Sequence, residues 1–295
     1  MKYSEVIIIG AGPAGLSAAI QLKRYGITPI IFEKDEAGGV LRNANLVENY
    51  LGFPKGITGP GLVTQFKDQF GKNDLKITYQ EIHEIVRDGD QFIVETDNKK
   101  FTSDYLIIAS GTKPIKFQKF ELSQDVRSRI FYEVYSLVKE KNKNIGIVGV
   151  GDAALDYSIK LNKQNKIILL NRSEKISGLP LLWERVQKNS AINYYSNSEI
   201  NGIKWTGSKL EIDVNVISKL LKFQLDFLIF AIGREPELGF LKNNEIEGLG
   251  KIDKPENLYV IGDVKNGLFR QTSISVGEGI KAAMKIYTKK QVKLK

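Results

Sequence analysis

The sequence contains the same glycine pattern twice, each time directly after a short apolar run. Gly10-x-Gly12-x-x-Gly15 follows residues 6–9, and Gly149-x-Gly151-x-x-Ala154 follows residues 145–148. Helical apolar spacing comes after each loop, at residues 14–25 and 153–162, and a second apolar run follows each helix. A strand, a glycine turn, a helix and a further strand make a βαβ unit. The pattern therefore predicts an α/β fold with two parallel sheets.

Each βαβ unit is followed by the same further plan. Short strands with turns come next, at residues 77–102 in the first half and 193–214 in the second. A buried strand then ends in small residues, at Ser110-Gly111 and at Ile232-Gly233, and a last helix is predicted at 275–287. This repeat predicts two Rossmann-like domains of three layers (ββα), the second inserted into the first. We place the first domain at residues 1–113 and 235–295, and the second at residues 114–234.

The first glycine loop has the context that dinucleotide binding requires. Gly10 permits a tight turn, Gly12 lets the backbone approach a pyrophosphate, and Gly15 lets the helix pack closely on the strand. The helix N-terminus supplies free N–H groups and partial positive charge for that pyrophosphate. Glu33, at the end of the next strand, is placed to accept hydrogen bonds from a ribose. Together these features predict a dinucleotide site.

The second loop differs at the end of its second strand. Asn171 and Arg172 stand there, so no carboxylate is available for a ribose 2′-hydroxyl. Arg172 either meets a 2′-phosphate, stacks on adenine, or is a solvated loop cation. It is the one feature that favours NADPH over NADH.

Composition excludes several kinds of chemistry. The chain has no cysteine and one histidine, which excludes disulfides, thiolate nucleophiles, iron–sulfur clusters and Cys/His zinc sites. The net charge of +9 reflects either dispersed lysines or a basic face for an acidic partner or anionic cofactors. No nucleic-acid motif accompanies it, and no apolar run of about 20 residues predicts a membrane span. We expect a cytoplasmic protein.

The whole chain resembles the low-molecular-weight thioredoxin reductase family of two-dinucleotide flavoproteins. The stretches that carry the resemblance are Ile7-Ile-Ile-Gly-Ala-Gly-Pro-Ala-Gly, Val47-Glu-Asn-Tyr-Leu-Gly-Phe-Pro-Lys-Gly-Ile-Thr-Gly-Pro, Ile107-Ile-Ala-Ser-Gly-Thr-Lys-Pro, Val148-Gly-Val-Gly-Asp-Ala-Ala, Ala231-Ile-Gly-Arg-Glu-Pro, Ile261-Gly-Asp-Val and Phe269-Arg-Gln-Thr. The resemblance implies FAD in the first domain, NAD(P)H in the second, and a homodimer. It also implies that the domains rotate, with hinges near Lys113-Pro114 and residues 233–236.

The resemblance implies two sets of cofactor-binding residues. Those for FAD are Gly10, Gly12, Pro13, Ala14, Gly15, Glu33, Lys34, Gly38, Gly39, Leu41, Asn49, Ile82, Ser110, Gly111, Gly262, Asp263, Arg270, Gln271 and Thr272. Those for NAD(P)H are Gly149, Gly151, Asp152, Ala153, Arg172, Ile232 and Gly233. Asp263 is expected at the ribityl chain, with Arg270 and Gln271 near the isoalloxazine. No side chain is predicted to act as a nucleophile or to hold a metal.

One departure from the family bears on the reaction. The family has Cys-x-x-Cys shortly before the second glycine loop, where this chain has Tyr132-Glu133-Val134-Tyr135. The segment Phe131-Tyr-x-Val and the later Asp156-Tyr157 resemble the cysteine-less ferredoxin–NAD(P)⁺ reductases of the same superfamily. The family's paired arginines for a 2′-phosphate are mostly missing, and the chain ends soon after its last helix.

Three further sets of side chains have open interpretations. Either one of Tyr132 and Tyr135 stacks on the flavin face that the dithiol would have used, or both pack at the hinge between the domains. His83 is interpreted as a surface or structural histidine rather than an acid–base catalyst. Lys139, Lys141 and Lys143 form either a solvated linker or a docking site for an acidic partner.

The predicted activity is hydride transfer from nicotinamide to flavin, followed by discharge to a non-thiol acceptor. Ferredoxin is the first choice of acceptor, and NAD(P)H oxidase and quinone reductase activities are the alternatives. Outside this class, the sequence leaves open a non-catalytic dinucleotide-binding redox sensor and a dehydrogenase that binds only nicotinamide.

Overall fold

A computed structural model describes residues 1–241 and 256–293 of the 295-residue chain. The described residues form two compact units. Unit 1 comprises Met1–Arg42, Glu48–Lys113 and the described part of Glu235–Lys295, and unit 2 comprises Asn43–Val47 and Pro114–Arg234. Unit 2 thus includes a five-residue stretch that interrupts unit 1 in the sequence.

The strands, in chain order, are β1 (Lys2–Tyr3), β2 (Val6–Ile9), β3 (Ile30–Glu33), β4 (Ile77–Tyr79), β5 (Glu84–Asp88), β6 (Gln91–Glu95), β7 (Lys100–Ser103), β8 (Tyr105–Ile108), β9 (Thr112–Pro114), β10 (Ile130–Phe131), β11 (Asn144–Val148), β12 (Lys166–Leu170), β13 (Ile192–Tyr195), β14 (Ser198–Trp205), β15 (Leu210–Val216), β16 (Lys219–Leu225), β17 (Phe227–Phe230), β18 (Arg234–Pro236) and β19 (Leu258–Val260). The α-helices are α1 (Pro13–Arg24), α2 (Gly59–Gly71), α3 (Gln124–Arg127), α4 (Asp152–Leu161), α5 (Pro180–Gln187) and α6 (Thr272–Lys293).

Unit 1 is built on a parallel sheet with strand order β19-β8-β2-β3-β4. Every residue of β2 is buried, because the sheet is covered on both faces. Val6 and Ile8 pack in a core with α1 and α6, whereas Ile7 and Ile9 pack in a second core with the meander β5–β7. Alternate residues of one strand thus face two different layers, which makes three layers in all.

Unit 2 repeats this plan. Its parallel sheet has strand order β10-β17-β11-β12-β13, and the antiparallel sheet has the order β14-β15-β16. Ile145 and Ile147 of β11 pack against α4, while Leu228 and Phe230 of β17 belong to the core with β14 and β15. The predicted α/β class with two Rossmann-like folds is confirmed. The segments that join the units, β9 and β18, pair as a two-stranded sheet.

The sequence analysis did not predict three helices and five strands of the described residues. α2 begins with Gly59, Pro60 and Gly61, residues typical of turns, and is capped by Thr58, whose Oγ1 accepts the Gly61 N–H at 3.2 Å. The other unpredicted elements are the helices α3 and α5 and the strands β1, β9, β10, β16 and β18. The last helix runs from Thr272, beyond the predicted bounds at both ends.

Among the short strands predicted within residues 77–102, β5 begins only at Glu84, so His83 precedes it. Among the helices of the described residues, not one combines the length and the apolar character that a bilayer-spanning helix needs.

Candidate dinucleotide sites

The glycines of the first loop differ in what a side chain would meet. A Cβ on Gly10, which has φ +101°, would lie 2.3 Å from the Ala109 carbonyl oxygen, and one on Gly15 would lie 1.9 Å from the Gly10 carbonyl oxygen. A Cβ on Gly12 would have no atom within 4 Å. Gly10 and Gly15 are therefore required by the packing of the chain itself. Gly12 instead borders open space that a ligand can occupy.

That space lies at the N-terminus of α1. Gly12 is the N-cap residue, no side chain caps the helix, and Pro13 occupies its first turn. The first turn also contains no acidic residue. The backbone N–H groups of a helix start carry partial positive charge, and the N-cap Gly12 brings no side chain to accept them. The arrangement suits an anion such as a pyrophosphate.

Glu33 stands at the end of β3, next to this loop. Its Oε2 accepts the Ala11 N–H at 2.8 Å and its Oε1 accepts the Asp35 N–H at 3.0 Å. A cavity of about 260 Å³ opens beside it, lined in part by the predicted residues Gly10, Glu33, Lys34, Ile82 and Ser110. Gln80 also lines the cavity, and its Oε1 is buried without a hydrogen-bond partner among the described residues. An orphaned acceptor of this kind fits a ligand that brings a donor.

The cavity also contains residues that sequence reasoning did not select. Gln80, Glu237 and Phe240 line it, and Glu237 accepts a hydrogen bond from Lys34 Nζ at 2.9 Å. Burial alone would raise the pKa of Glu237, but the hydrogen bond and charge of Lys34 hold it below its ordinary value. These residues come from segments far apart in the sequence and follow no motif, so only the fold shows that they meet.

Other predicted flavin residues of unit 1 lie in two hydrogen-bonded groups. Asn49 Nδ2 donates to Gln271 Oε1 at 2.9 Å, which joins residues 222 positions apart in the sequence. Asp263 Oδ1 accepts from Ser275 Oγ at 3.2 Å, and the Gly262 N–H donates to Glu278 Oε2 at 2.6 Å. Of the other predicted residues, Gly38 and Gly39 have positive φ, Leu41 is buried, Arg270 precedes Gln271, and Thr272 starts α6.

The second glycine loop has the same geometry in unit 2. A Cβ on Gly149 would lie 2.4 Å from the Ala231 carbonyl oxygen, whereas a Cβ on Gly151 would meet only Ser177 Oγ, at 3.8 Å. Gly151 is the N-cap of α4, again without a side-chain cap. Asp152 Oδ1 accepts the Leu179 N–H at 2.7 Å, so this carboxylate orders the loop beside the site. Ala153 follows it in the first turn of α4.

The residues that follow β12 differ from Glu33 at the end of β3, as the sequence indicated. Asn171 is buried, and its Nδ2 donates to the Lys175 carbonyl oxygen and to the Tyr194 hydroxyl, both at 3.2 Å. Its side chain is thus used to shape the loop. Arg172 is exposed, as are Ser173 and Ser177. Ile232 is 40% exposed, and the Gly233 carbonyl accepts the Ile115 N–H at 3.1 Å.

The residues that replace the dithiol have different surroundings. The Tyr132 hydroxyl accepts the Phe117 N–H at 3.1 Å, its ring lies 6.1 Å from that of Phe230, and Lys116 Nζ lies 4.1 Å from its ring centroid. These contacts pack Tyr132 against the core of unit 2, and both interpretations given for it from the sequence stay predictions. Tyr135 is 44% exposed.

His83 lines the cavity of unit 1, and its Nε2 lies 2.6 Å from Asp97 Oδ1. Lys139, Lys141 and Lys143 precede β11. In the described part of the chain, no group of three or more His, Asp or Glu residues is arranged to hold a metal ion.

Comparison with known proteins places the chain in a family. Residues 4–279 match the family described as pyridine nucleotide-disulphide oxidoreductase, and the chain belongs to this family. It is 28% identical to the thioredoxin reductase of Chlamydia pneumoniae over 96% of this chain and 98% of that protein. It is 29% identical to that of Mycoplasma genitalium over 96% of this chain and 94% of the other.

Solved structures of known proteins have a similar fold. The thioredoxin reductase of T. acidophilum superposes with a TM-score of 0.86 at 26% identity, covering 98% of this chain and 99% of the other. The bacillithiol disulfide reductase of Bacillus cereus has the same fold, with a TM-score of 0.77 at 17% identity over 98% of this chain and all of the other. The predicted resemblance is confirmed: the chain is a thioredoxin reductase-like flavoprotein oxidoreductase that lacks cysteine.

Proposed function

We propose that this chain is an FAD-dependent NAD(P)H oxidoreductase that delivers electrons to a non-thiol acceptor, with ferredoxin as the first candidate. The observation that carries the proposal is a pair of glycine loops in a chain without cysteine, in which a Cβ on the middle glycine would have no described atom closer than 3.8 Å. Membership of the family supports a flavin and a pyridine nucleotide. The absence of cysteine removes the chain's own dithiol as a carrier between flavin and acceptor.

Unit 1 is assigned to FAD. The N–H groups at the start of α1 would hold the pyrophosphate, with Gly12 leaving room for it. Glu33 would accept from a ribose hydroxyl, and Gln80 Oε1 offers a buried acceptor to an amino or hydroxyl group of the adenosine. Bound FAD would supply an isoalloxazine ring that takes up a hydride from nicotinamide and releases the electrons to the acceptor.

Unit 2 is assigned to NAD(P)H, which the uncapped start of α4 would hold by its pyrophosphate. The residues that follow β12, Asn171, Arg172 and Ser173, include no carboxylate for a 2′-hydroxyl. The side chain of Asn171 already donates to the Lys175 carbonyl and to the Tyr194 hydroxyl. The exposed cation Arg172 beside Ser173 is suited to a 2′-phosphate. This favours NADPH over NADH.

An acidic electron carrier fits the net charge of +9, because opposite charges accelerate association. The resemblance to cysteine-less ferredoxin–NAD(P)⁺ reductases points the same way. NAD(P)H oxidase and quinone reductase activities use the same reduced protein and differ only in the acceptor. A homodimer and a cytoplasmic location stay predictions.

Spectroscopy and steady-state kinetics test the proposal together. Purified protein should be yellow, and its flavin absorption should bleach when NADPH or NADH is added without oxygen. Turnover with ferredoxin, a quinone and oxygen, each with both nucleotides, then ranks the acceptors. Colourless protein that cannot be reconstituted with FAD would favour a nicotinamide-only dehydrogenase. Yellow protein that neither nucleotide bleaches would favour a redox sensor.

A further inference from the structure

The residues at the dithiol position bind a side chain of the loop Asn43–Val47 in unit 2. Asn43 Nδ2 donates to Glu133 Oε2 at 3.1 Å, and the Tyr135 N–H donates to Asn43 Oδ1 at 3.0 Å. The reverse orientation of the amide would set its oxygen against the Glu133 carboxylate. The carboxamide therefore has a single favourable orientation.

The backbone of the same loop is also held by unit 2. Lys160 Nζ donates to the Asn43 carbonyl oxygen at 3.0 Å, and Asp156 Oδ2 accepts the Asn45 N–H at 2.7 Å. Four hydrogen bonds thus hold two residues of the five-residue loop, three at Asn43 and one at Asn45. We call Glu133, Tyr135, Asp156 and Lys160 the Asn43 site.

The residue that the Asn43 site binds is itself shielded from water. Asn43 is 3% exposed. Burial raises the pKa of Asp156 above its ordinary value, although the Asn45 N–H opposes this, and burial lowers the pKa of Lys160. Glu133 keeps a cationic partner, because Arg234 Nη1 donates to its Oε1 at 2.8 Å. Hydrogen bonds in such a site are costly to leave unmade.

We propose that Asn43 is a positioning residue, and that residues 133–135, which stand where relatives have a redox dithiol, serve in this chain to hold the loop Asn43–Val47. The loop lies in the sequence between Leu41 and Asn49, which the family resemblance assigns to the flavin of the proposed function. Fixing the loop therefore fixes the chain that leads into and out of that part of the flavin site. Only this last step depends on the proposed function.

Exchanging the hydrogen-bond donor and acceptor between Asn43 and Glu133 tests their contact directly. Asn43→Asp sets a carboxylate against Glu133, so we expect hydrogen exchange of the peptide that contains residues 43–47 to accelerate on the order of tenfold. The double variant Asn43→Asp with Glu133→Gln restores one donor and one acceptor, and exchange should return to within about twofold of the wild type. Asn98→Asp, at an exposed asparagine outside the site, is the matched control and should leave this peptide unchanged.

Two readouts are needed on the protein as purified with its cofactor. Hydrogen exchange by mass spectrometry reports the loop, and visible circular dichroism reports the surroundings of the flavin. Asn43→Asp should change both, and the double variant should restore both. If Asn43→Asp does not fold, Lys160→Met removes one bond to the loop without adding a charge, and it should accelerate exchange of the same peptide.

Wild-type exchange in Asn43→Asp, or a double variant no slower than the single one, would overturn the proposal. A loosened loop with an unchanged flavin spectrum would overturn the positioning role. Absence of any flavin from the wild type would contradict the proposed function instead, and the exchange comparison would still decide whether the Asn43 site holds the loop.

Discussion

At the scale of single residues, the glycines of the first loop have two different reasons to be glycine. Gly15 has a backbone oxygen where its Cβ would be, at 1.9 Å, so the fold itself excludes a side chain there. Gly12 has φ −76°, an ordinary value for any residue, and nothing within 4 Å of an added Cβ. Folding does not explain Gly12, whereas the pyrophosphate of the proposed cofactor would explain it.

This difference predicts that replacement by alanine has different effects at Gly12 and at Gly15. Gly12→Ala should fold with a thermal midpoint within about 2 °C of the wild type, because no protein atom opposes the methyl group. Its affinity for FAD should fall at least about tenfold, because the methyl group fills the space of the pyrophosphate. Thermal unfolding of the apoprotein and titration with FAD measure the two effects.

Gly15→Ala serves as the contrast, with an expected loss of about 3 kcal/mol or more in the free energy of unfolding. Wild-type FAD affinity in Gly12→Ala would show that the open space is not the pyrophosphate site.

Asp156 gives a prediction with a defined sign. Burial raises its pKa in the folded protein, so the folded state binds a proton more tightly than the unfolded state. The contribution of this group to stability is therefore greatest below its ordinary pKa of 3.8. It declines as the pH rises through the raised value and is constant above it.

Asp156→Asn keeps an acceptor for the Asn45 N–H and should flatten this pH dependence, with equal or higher stability at pH 7. Asp156→Ala leaves that N–H unpaired and should lose about 1–3 kcal/mol. Denaturant unfolding between pH 4 and 8 provides the comparison, and a less stable, still pH-dependent Asp156→Asn would contradict the expected sign.

At the scale of elements, the ends of β3 and β12 distinguish the two dinucleotide sites. β3 ends in Glu33, whereas β12 is followed by the buried Asn171 and the exposed Arg172. Arg172→Ala should raise the KM for NADPH about tenfold, because a charge-assisted contact to the 2′-phosphate is lost. The KM for NADH should change less than about twofold.

The neighbouring exposed cation Lys175, replaced by alanine, is the control for a general loss of charge. Equal rises in both KM values would instead indicate that Arg172 stacks on adenine. Unchanged values would make it a solvated cation.

The secondary-structure elements show which parts of the fold the sequence can predict. The buried strands β2, β8, β11 and β17 are apolar runs bounded by glycines or polar turns, and pattern alone finds them. α2 was missed because its first turn contains two glycines and a proline, which local propensity assigns to a turn. Its start depends on the Thr58 cap and on the burial of Leu62 and Val63 in the folded unit.

In the candidate sites too, some residues can be predicted from the sequence and others cannot. Gly10, Glu33 and Gly149 belong to local motifs, and their spacing identifies them. Gln80 and Glu237, at the cavity, and Asn43 with Glu133 are pairs or groups of residues far apart in the sequence. No local sequence pattern predicts that these residues lie close together, because their contacts depend on the tertiary fold.

At the scale of the whole molecule, the chain retains the two-dinucleotide fold of a family named for disulfide chemistry but contains no cysteine. At the position of the dithiol it has residues whose contacts are with Asn43, Phe117 and Arg234. The proposed chemistry therefore leaves one redox group per chain, the flavin.

Anaerobic reductive titration of the purified protein tests this claim most directly. Stepwise addition of NADPH or dithionite should bleach the flavin completely with two electrons per FAD, since no dithiol is present to take two more. A flavin that NADPH does not reduce, or an uptake of four electrons per FAD, would contradict the account.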